Sequence, residues 1–334
     1  MLSKIETKDV CFSNNNLNFT KSVNIIISTD FSFGLESRFT SFRTFSNKLL
    51  LIYADMNNNL IFYDLEENRA IKKINSFHNE NISLIYHYNN FETKEDFIAT
   101  ISGTDFTAKI WNVSSFKLIA NLENIYHNGV ILSSCFINYN NNIYLALTNS
   151  NNSSSDKIKI ININNNNEII IIDNNNNPTV KIVTFSNKKI TFIIVCNEKN
   201  LISYSIDTLS IFQKYIESGQ TTQLKNLELL LYDNEPKLMD YDIEGKVRIW
   251  DFYTNQLKIK VKMSYVLKDT YVWNKYLIVS NLPESAIFDL NNLEIINRFA
   301  ILTENWRSIS IIDHVKYGKC LLYLDNKNIG ILYN

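Results

Sequence analysis

The sequence predicts an all-β fold made of repeated four-stranded units, and three observations support this class. Short runs in which apolar and polar residues alternate recur along the 334 residues. Asparagine is abundant, with 50 copies against 7 glycines, and it tolerates the left-handed backbone that tight turns need. The third observation is a unit of strands and turns that repeats along most of the chain.

The clearest copy of the unit lies near residue 250. The strand at 246–252 alternates between two faces and is predicted to be buried between layers. A strand at 237–241 precedes it and is joined to it by a turn at Gly245. A further strand at 257–262 follows. The segment 108–113 repeats the same pattern, so the unit is a structural repeat and not a single hairpin.

Strand positions equivalent to Trp250 recur 38 to 50 residues apart. These seven phase markers are Tyr63, Trp111, Ile161, Tyr204, Trp250, Phe288 and Leu332. A repeat of about 40–45 residues with four short strands is typical of a propeller blade. The markers predict one seven-bladed β-propeller with four antiparallel strands in each blade. A six-bladed ring is the alternative if the third or seventh unit is irregular.

The N-terminal part of the chain is expected to close the ring. Residues 1–20 show little pattern and are predicted to be a loose leader or an extra edge strand before a propeller at 21–334. The seventh blade ends one strand short after its marker, and a strand at 23–29 is predicted to complete it and cover its edge. The blades are predicted at 39–74, 82–122, a third unit ending near 172, 179–215, 224–263, 266–299 and 309–332.

Composition and charge argue against several classes of protein. The formal net charge of -1 gives no bulk attraction to nucleic acid or to an anionic membrane. No apolar run approaches the roughly 20 residues that span a bilayer, and the first residues do not form a signal peptide. Four scattered cysteines form no CxxC pair and are predicted to be structural thiols. We expect a soluble protein of the cytoplasm, with the nucleus as the alternative.

The repeats resemble those of WD40 proteins. The residues at 250–251 form the one intact Trp-Asp pair, and the Trp-Asn at 111–112 is a near copy. The segments 273–277 and 316–322 also resemble WD-repeat proteins of AT-rich protists, which agrees with the asparagine-rich composition. The resemblance covers nearly the whole chain after about residue 20. It implies a propeller whose faces dock peptides or proteins.

The resemblance also implies a hydrogen-bonded network within a blade, built from a histidine, a hydroxyl, an aspartate and the tryptophan. The second blade matches this pattern with His78, either Thr100 or Ser102, Asp105 and Trp111. A histidine, a hydroxyl and an aspartate could also form a nucleophilic triad. The resemblance instead implies that these residues are structural.

The other blades match the network less well. In the fifth blade the resemblance assigns a structural role to Trp250 and Asp251, but Glu244 stands where the turn aspartate is expected. Asn57 replaces that aspartate in the first blade, and Leu282 and the following proline occupy the region in the sixth. The network is therefore expected to be eroded outside the second blade.

No catalytic or metal-binding template is present in the sequence. The chain contains no HExxH, GxxxxGK[ST], GxSxG or GxGxxG motif. Its four histidines lie in four separate repeats with no cysteine at ligand spacing, at His78, His87, His127 and His314. We expect no enzymatic activity, no cofactor, no metal and no small-molecule substrate.

The connections that lead into each blade are predicted to converge on one face around the channel. They carry aromatic, cationic and amide side chains suited to an acidic or extended peptide. The candidate partner-binding residues are Arg38, Asn79, Tyr126, Gln220, Trp306 and Arg307. Trp306 has an alternative role as a packing residue against its own blade. A row of lysines at 258–262 could bind an acidic partner or simply protect a sheet edge.

The function that the sequence favours is a non-enzymatic protein-interaction scaffold in a multi-protein assembly. This expectation follows from the fold and the resemblance. Two alternatives remain open: a WD40 component of a nuclear RNA-processing or ribosome-assembly complex, which would meet nucleic acid only through that complex, and a substrate receptor of a ubiquitin ligase. No membrane partner is expected.

Overall fold

The computed structural model describes residues 21–25, 39–55, 57–127, 129–150, 158–165, 169–172, 179–187, 190–198, 200–217, 222–232, 235–263, 269–280, 284–300, 308–324 and 329–333. Within these ranges the regular structure is entirely β-strand, in seven four-stranded antiparallel sheets that follow the chain in order. The all-β class and the seven blades are confirmed, and the six-bladed alternative is wrong.

Blades 1 to 6 each use four consecutive strands of the chain. Blade 1 contains β2 (Phe39–Arg43), β3 (Leu49–Ala54), β4 (Asn59–Asp64) and β5 (Arg69–Asn75). Blade 2 contains β6 (Leu84–Asn90), β7 (Glu95–Ser102), β8 (Thr107–Asn112) and β9 (Lys117–Leu122). Blade 3 contains β10 (Ile131–Tyr139), β11 (Asn142–Asn149), β12 (Ile158–Asn162) and β13 (Ile169–Ile172). Blade 4 contains β14 (Thr179–Ser186), β15 (Thr191–Asn197), β16 (Leu201–Ser205) and β17 (Ser210–Tyr215).

Blades 5 and 6 have the same arrangement, and blade 7 takes its fourth strand from the N-terminal part of the chain. Blade 5 contains β18 (Leu224–Tyr232), β19 (Glu235–Asp242), β20 (Lys246–Asp251) and β21 (Leu257–Lys262). Blade 6 contains β22 (Asp269–Trp273), β23 (Tyr276–Ser280), β24 (Glu284–Asp289) and β25 (Ile295–Ala300). Blade 7 contains β26 (Ser308–His314), β27 (Gly318–Leu324) and β28 (Ile329–Tyr333), with β1 (Lys21–Ile25) as its fourth strand.

The N-terminal strand closes the ring, as predicted. β1 pairs antiparallel with β28, with Lys21 opposite Tyr333 and Ile25 opposite Ile329. The strand begins two residues earlier than the predicted 23–29, and residues 26–29 lie outside the described residues, as does the predicted leader at 1–20. The pairing covers an edge of β28 that would otherwise expose unpaired backbone groups.

The core of the protein lies between blades. Seven hydrophobic clusters fill the seven interfaces of the ring, and each draws its residues from two neighbouring blades. The phase markers explain the repeat, because each packs in the interface with the preceding blade. Trp111, for example, packs in the cluster of blades 1 and 2, and Trp250 in that of blades 4 and 5. A large apolar residue is needed once in every blade to seal the ring.

The polar residue after the marker has a separate structural role. In five blades its side-chain oxygen accepts a hydrogen bond from a backbone N–H of the following turn. These residues are Asp64, Asn112, Asn162, Asp251 and Asp289. A short acceptor at this position stabilises the turn into the outermost strand.

Asparagine performs much of the turn formation, as the composition indicated. Fourteen described residues other than glycine have a positive φ, and eight of them are asparagines. Their left-handed backbone suits a short polar side chain that can bond locally. The low glycine content is therefore compatible with the many tight turns of this fold.

The described cysteines are free thiols. Burial raises the pKa of the Cys135 thiol to about 12 and that of Cys320 to about 11. Cys196 is fully buried, and burial raises its pKa as well. Thiols in this state are poor nucleophiles and poor metal ligands, because the reactive form is the thiolate. The fourth cysteine, Cys11, lies outside the described residues.

Candidate functional site

The connections between blades and the turns between second and third strands share one face of the ring, here named the connection face. In the second blade the backbone N–H of Asn79, in the connection, donates to Asp105 Oδ2 in the turn at 3.1 Å. The N–H of Glu80 bonds the same oxygen at 3.3 Å. Asp105 thus fixes the connection to the turn that lies beside it.

The second blade contains a continuous chain of hydrogen bonds with one consistent direction. Trp111 Nε1–H donates to Thr100 Oγ1 at 3.0 Å, and His78 Nε2 lies 3.0 Å from the same hydroxyl. His78 Nδ1 lies 2.6 Å from Thr107 Oγ1, which donates to Asp105 Oδ1 at 2.6 Å. A neutral His78 protonated on Nδ1 satisfies every step, because Thr100 donates to Nε2 and Nδ1–H donates to Thr107.

The hydroxyl that the sequence left open is therefore Thr100, and Thr107 is an additional member that sequence reasoning missed. Burial lowers the pKa of His78 to about 4, although the charge of Asp105 opposes this shift. Burial by itself would raise the pKa of the Asp105 carboxyl. The hydrogen bonds that this carboxylate accepts, chiefly from Thr107, outweigh burial and lower the pKa. Thr100 is completely buried. A substrate has no access to this hydroxyl, so the arrangement joins parts of the blade and does not expose a nucleophile.

The fifth blade replaces the histidine network with a buried ion cluster. Trp250 Nε1–H donates to Asp240 Oδ2 at 2.5 Å, and Arg248 Nε donates to Asp240 Oδ1 at 2.7 Å. The same guanidinium lies 3.2 Å from Asp242 Oδ2, and only 1 % of its side chain is exposed. Burial opposes the charge of Arg248, but the two aspartates raise its pKa and keep it ionised.

The Trp-Asp pair of the fifth blade therefore works differently from what the sequence suggested. Trp250 bonds Asp240 on the neighbouring strand, whereas Asp251 caps the following turn and accepts the N–H of Thr254 at 2.8 Å. Sequence reasoning missed Asp240 and Arg248. The sequence did contain a signal for them, because both are charged residues at strand positions that face inward. Two such residues of opposite charge on paired strands indicate a buried ion pair.

In two blades the turn still contains an aspartate, but two residues earlier than the sequence analysis placed it. In the fifth blade Asp242, two residues before Glu244, accepts the N–H of Glu244 and of Lys246, each at 3.0 Å. In the first blade Asp55 accepts the N–H of Asn57 at 2.9 Å. The expected erosion at Glu244 and Asn57 is thus compensated by an aspartate earlier in the same turn.

The structure describes two of the six predicted partner-binding residues. Asn79 is exposed on the connection face, where its backbone is held by Asp105. Tyr126 is only 3 % exposed, and its hydroxyl donates to the carbonyl oxygen of Leu147 at 2.7 Å. The expectation that Tyr126 binds a partner is wrong, because its ring fills the interface of blades 2 and 3. The other four, Arg38, Gln220, Trp306 and Arg307, lie outside the described residues.

Phe77 is an exposed aromatic residue on the connection face that sequence reasoning missed. Its side chain is 66 % exposed and its φ is 56°. On either side, Ser76 bonds the carbonyl oxygen of Asn58 and His78 belongs to the buried network. The backbone is therefore anchored before and after Phe77, and the ring is held in solvent. The signal in the sequence was an apolar residue inside an otherwise polar connection.

The left-handed backbone of Phe77 is unusual for a bulky residue. The other bulky residues with positive φ all lie in hairpin turns, where the turn imposes this conformation; they are Lys94, Phe106, Phe116, Leu209 and Leu293. Phe77 closes no hairpin, since it lies in the connection from β5 to β6. Phe77 therefore combines a strained backbone with an exposed aromatic side chain.

The described ranges contain neither a metal cluster nor a membrane-spanning helix. No group of three or more histidine, cysteine, aspartate or glutamate side chains in them is placed to hold a metal ion. In the same ranges, no helix has the length and apolar character needed to cross a bilayer.

Comparison with known proteins shows the fold. The chain is similar to a solved structure of BBS1N in complex with ARL6DN, from a crystal soaked with lead. The TM-score is 0.64, and the match covers 94 % of this chain and 95 % of that chain at 11 % identity. No protein-family model matches the chain, and the search of curated proteins found no match. The likeness and the sheet topology together show that the chain forms a seven-bladed β-propeller.

Proposed function

We propose that this chain is a non-enzymatic protein-interaction scaffold of the divergent, asparagine-rich WD40 type, acting in the cytoplasm within a multi-protein assembly. The chain of bonds from Trp111 to Asp105 supports the WD40 assignment, because it joins the residue types that the resemblance implies. BBS1N, a similar propeller, was solved in complex with another protein. That example supports protein binding by this fold and says nothing about the partner of this chain.

The observation that carries the proposal is the presentation of Phe77. A ring that is 66 % exposed loses most of the burial energy that an aromatic residue ordinarily contributes to folding. Its left-handed backbone adds a conformational cost on the order of 1 kcal/mol. The fold therefore gains little from a phenylalanine here, whereas a partner could bury the ring in a pocket. Exposed aromatic anchors on rigid supports are typical of interaction hot spots.

The catalytic alternative has less support from the same residues. The histidine, hydroxyl and aspartate that could resemble a triad are engaged within one buried chain of bonds. Each group already has a hydrogen-bond partner within the blade, and the Thr100 hydroxyl is fully buried.

The experiment compares cross-linking of the tagged wild-type chain and of Phe77→Asn in native cells, with partners identified by mass spectrometry. We expect the wild type to cross-link to partner proteins through the connection face, and Phe77→Asn to weaken that contact by roughly thirtyfold, the level of a hot spot. Purified Phe77→Asn should unfold at the same or higher urea concentration, because asparagine tolerates the left-handed backbone.

Leu209→Asn is the matched control. Leu209 is also exposed and has a positive φ, but it closes a hairpin on the opposite face of blade 4. We expect this variant to retain wild-type partner contacts. Equal recovery of partners by the wild type and Phe77→Asn would contradict the proposed site. Recovery of the wild-type chain only as a free monomer would contradict the scaffold function.

A further inference from the structure

A second surface lies on the opposite face of the ring, where the turns between first and second strands of blades 6, 7 and 1 meet. Arg43 joins two of these turns. Its Nη1 donates to the carbonyl oxygen of Asn47 at 2.8 Å within blade 1, and its Nη2 donates to that of Asp313 in blade 7 at 2.7 Å. One guanidinium therefore holds the two turns side by side.

Lys319 joins the turn of blade 7 to that of blade 6. Its Nζ lies 4.4 Å from the centre of the Trp273 ring and 2.8 Å from Asp313 Oδ1. The three turns consequently form one continuous surface across three consecutive blades. Such continuity matters because a bound segment must contact several turns at once to gain useful affinity.

The tips of these turns expose apolar and cationic side chains together. Val315, in the turn of blade 7, is 80 % exposed. Phe45, in the turn of blade 1, is 38 % exposed, and its ring packs edge-on against Phe91 of blade 2 at 5.4 Å. Lys48, Lys275 and Lys316 are also exposed. We name these five residues the turn patch. Nothing in the described fold uses the Val315 side chain, whose burial would be favourable in a complex.

The turn patch has an excess of positive charge. Three of the five cations in or beside these turns are paired, as Arg43–Glu66 at 2.7 Å, Lys319–Asp313 at 2.8 Å and Lys275–Asp289 at 3.5 Å. Only Asp313 belongs to these turns, whereas Glu66 and Asp289 reach them from the turns between third and fourth strands. Lys48 and Lys316 form no ion pair with a carboxylate of the described residues. Two exposed ammonium groups are therefore available to a negatively charged partner.

The aromatic rings of these turns favour a protein partner over a single-stranded nucleic acid. Three of the rings have a lysine ammonium over one face, at 4.4 Å for Trp273, 5.5 Å for Tyr276 and 4.9 Å for Tyr317. The fourth, Phe45, has the edge-on contact with Phe91. Nucleic-acid bases bind single-strand sites by stacking on open ring faces. Here stacking would first have to displace the lysines, whereas carboxylates could bind those lysines where they stand.

We propose that the turn patch binds an acidic, extended protein segment that carries a large apolar side chain. Carboxylates of the segment meet Lys48, Lys316 and Lys275, and the apolar side chain packs on Val315. The site rests on the proposed scaffold function and adds to it a second docking face with a defined partner chemistry.

The test uses a fluorescein-labelled peptide of aspartate and glutamate residues around one Leu-Phe pair, with fluorescence anisotropy as the readout. We expect the purified wild-type chain to bind it more tightly than a peptide in which lysines replace the acidic residues. Lys48→Ser combined with Lys316→Ser should weaken binding by roughly tenfold and reduce its salt dependence. Val315→Ser should weaken binding with the salt dependence unchanged.

The matched control is Lys258→Ser combined with Lys262→Ser. It removes the same charge from the exposed outer strand of blade 5, and it should bind like the wild type. Any of three results would overturn the proposal: this control weakens binding as much as the Lys48 and Lys316 variant, the acidic and basic peptides bind equally, or a twelve-residue oligothymidine binds more tightly than the acidic peptide. Phe77→Asn should retain peptide binding, so the turn patch and the connection face are tested separately. Native cross-links confined to the connection face would overturn the patch and leave the scaffold function standing.

Discussion

Replacing Arg248 by methionine should reveal how strongly the fifth blade depends on its buried ion cluster. The guanidinium is 1 % exposed and contacts Asp240 at 2.6 Å and Asp242 at 3.2 Å. Methionine fills a similar space but leaves Asp240 as a buried carboxylate with Trp250 as a remaining donor. Breaking a buried pair in this way costs about 3–5 kcal/mol, because the surviving charge is unpaired in a medium of low polarity.

A double variant distinguishes the loss of the guanidinium contacts from the effect of leaving the Asp240 carboxylate unpaired. Arg248→Met combined with Asp240→Asn should recover at least about 2 kcal/mol of the loss, because no unpaired charge then remains at Asp240. Asp242 is not orphaned in either variant, since Thr222 Oγ1 donates to it at 2.5 Å and two turn N–H groups bond its other oxygen.

The assay is urea unfolding at pH 7, with the midpoint and the m-value measured for each variant. Lys246→Met is the control, because this lysine lies two residues away on the same strand and forms an exposed pair with Glu244 at 3.0 Å. It should leave the midpoint nearly unchanged. The reasoning is refuted if Arg248→Met loses less than about 1 kcal/mol, or if the double variant is no more stable than the single one.

Three further predictions concern the ring and the histidine network. Deleting residues 1–25 removes β1 and should lower the melting temperature and promote aggregation, whereas deleting residues 1–18 should not; equal melting of the two truncations would show that β1 does not close the ring. His78 has a folded pKa of about 4 against about 6.5 when unfolded, so the unfolded state takes up the proton first and stability should fall by up to about 3 kcal/mol as pH drops from 6.5 to 4. His78→Gln should reduce the slope of this part of the urea-midpoint profile, and part of the remaining slope comes from His87, whose pKa burial also lowers; a profile identical to that of the wild type would contradict the assignment. Trp111→Ala should cost about 3–5 kcal/mol in urea unfolding, because it empties the interface of blades 1 and 2, and a loss below about 1 kcal/mol would contradict that packing role.

The architecture could be predicted because it depends on local patterns that repeat. A large side chain at every marker position seals one interface of the ring, so the period of markers such as Trp111 and Trp250 gave the blade number. Alternation of period two located the strands, and the predicted fourth blade at 179–215 matches β14 to β17 at both ends. The closing strand followed from the same repeat, since one blade was a strand short.

The candidate sites depended on information that the local pattern does not contain. The choice of Thr100 over Ser102 and the pairing of Asp240 with Arg248 follow from strand register and from the way neighbouring strands twist. Phe77 and Tyr126 are both aromatic residues in connections between blades, yet one is exposed and the other is buried. Sequence alone therefore determined the ring, because each strand and turn is specified by its own residues. Only the tertiary structure decided which side chains the ring buries and which it presents, because that depends on where the neighbouring blades place their surfaces.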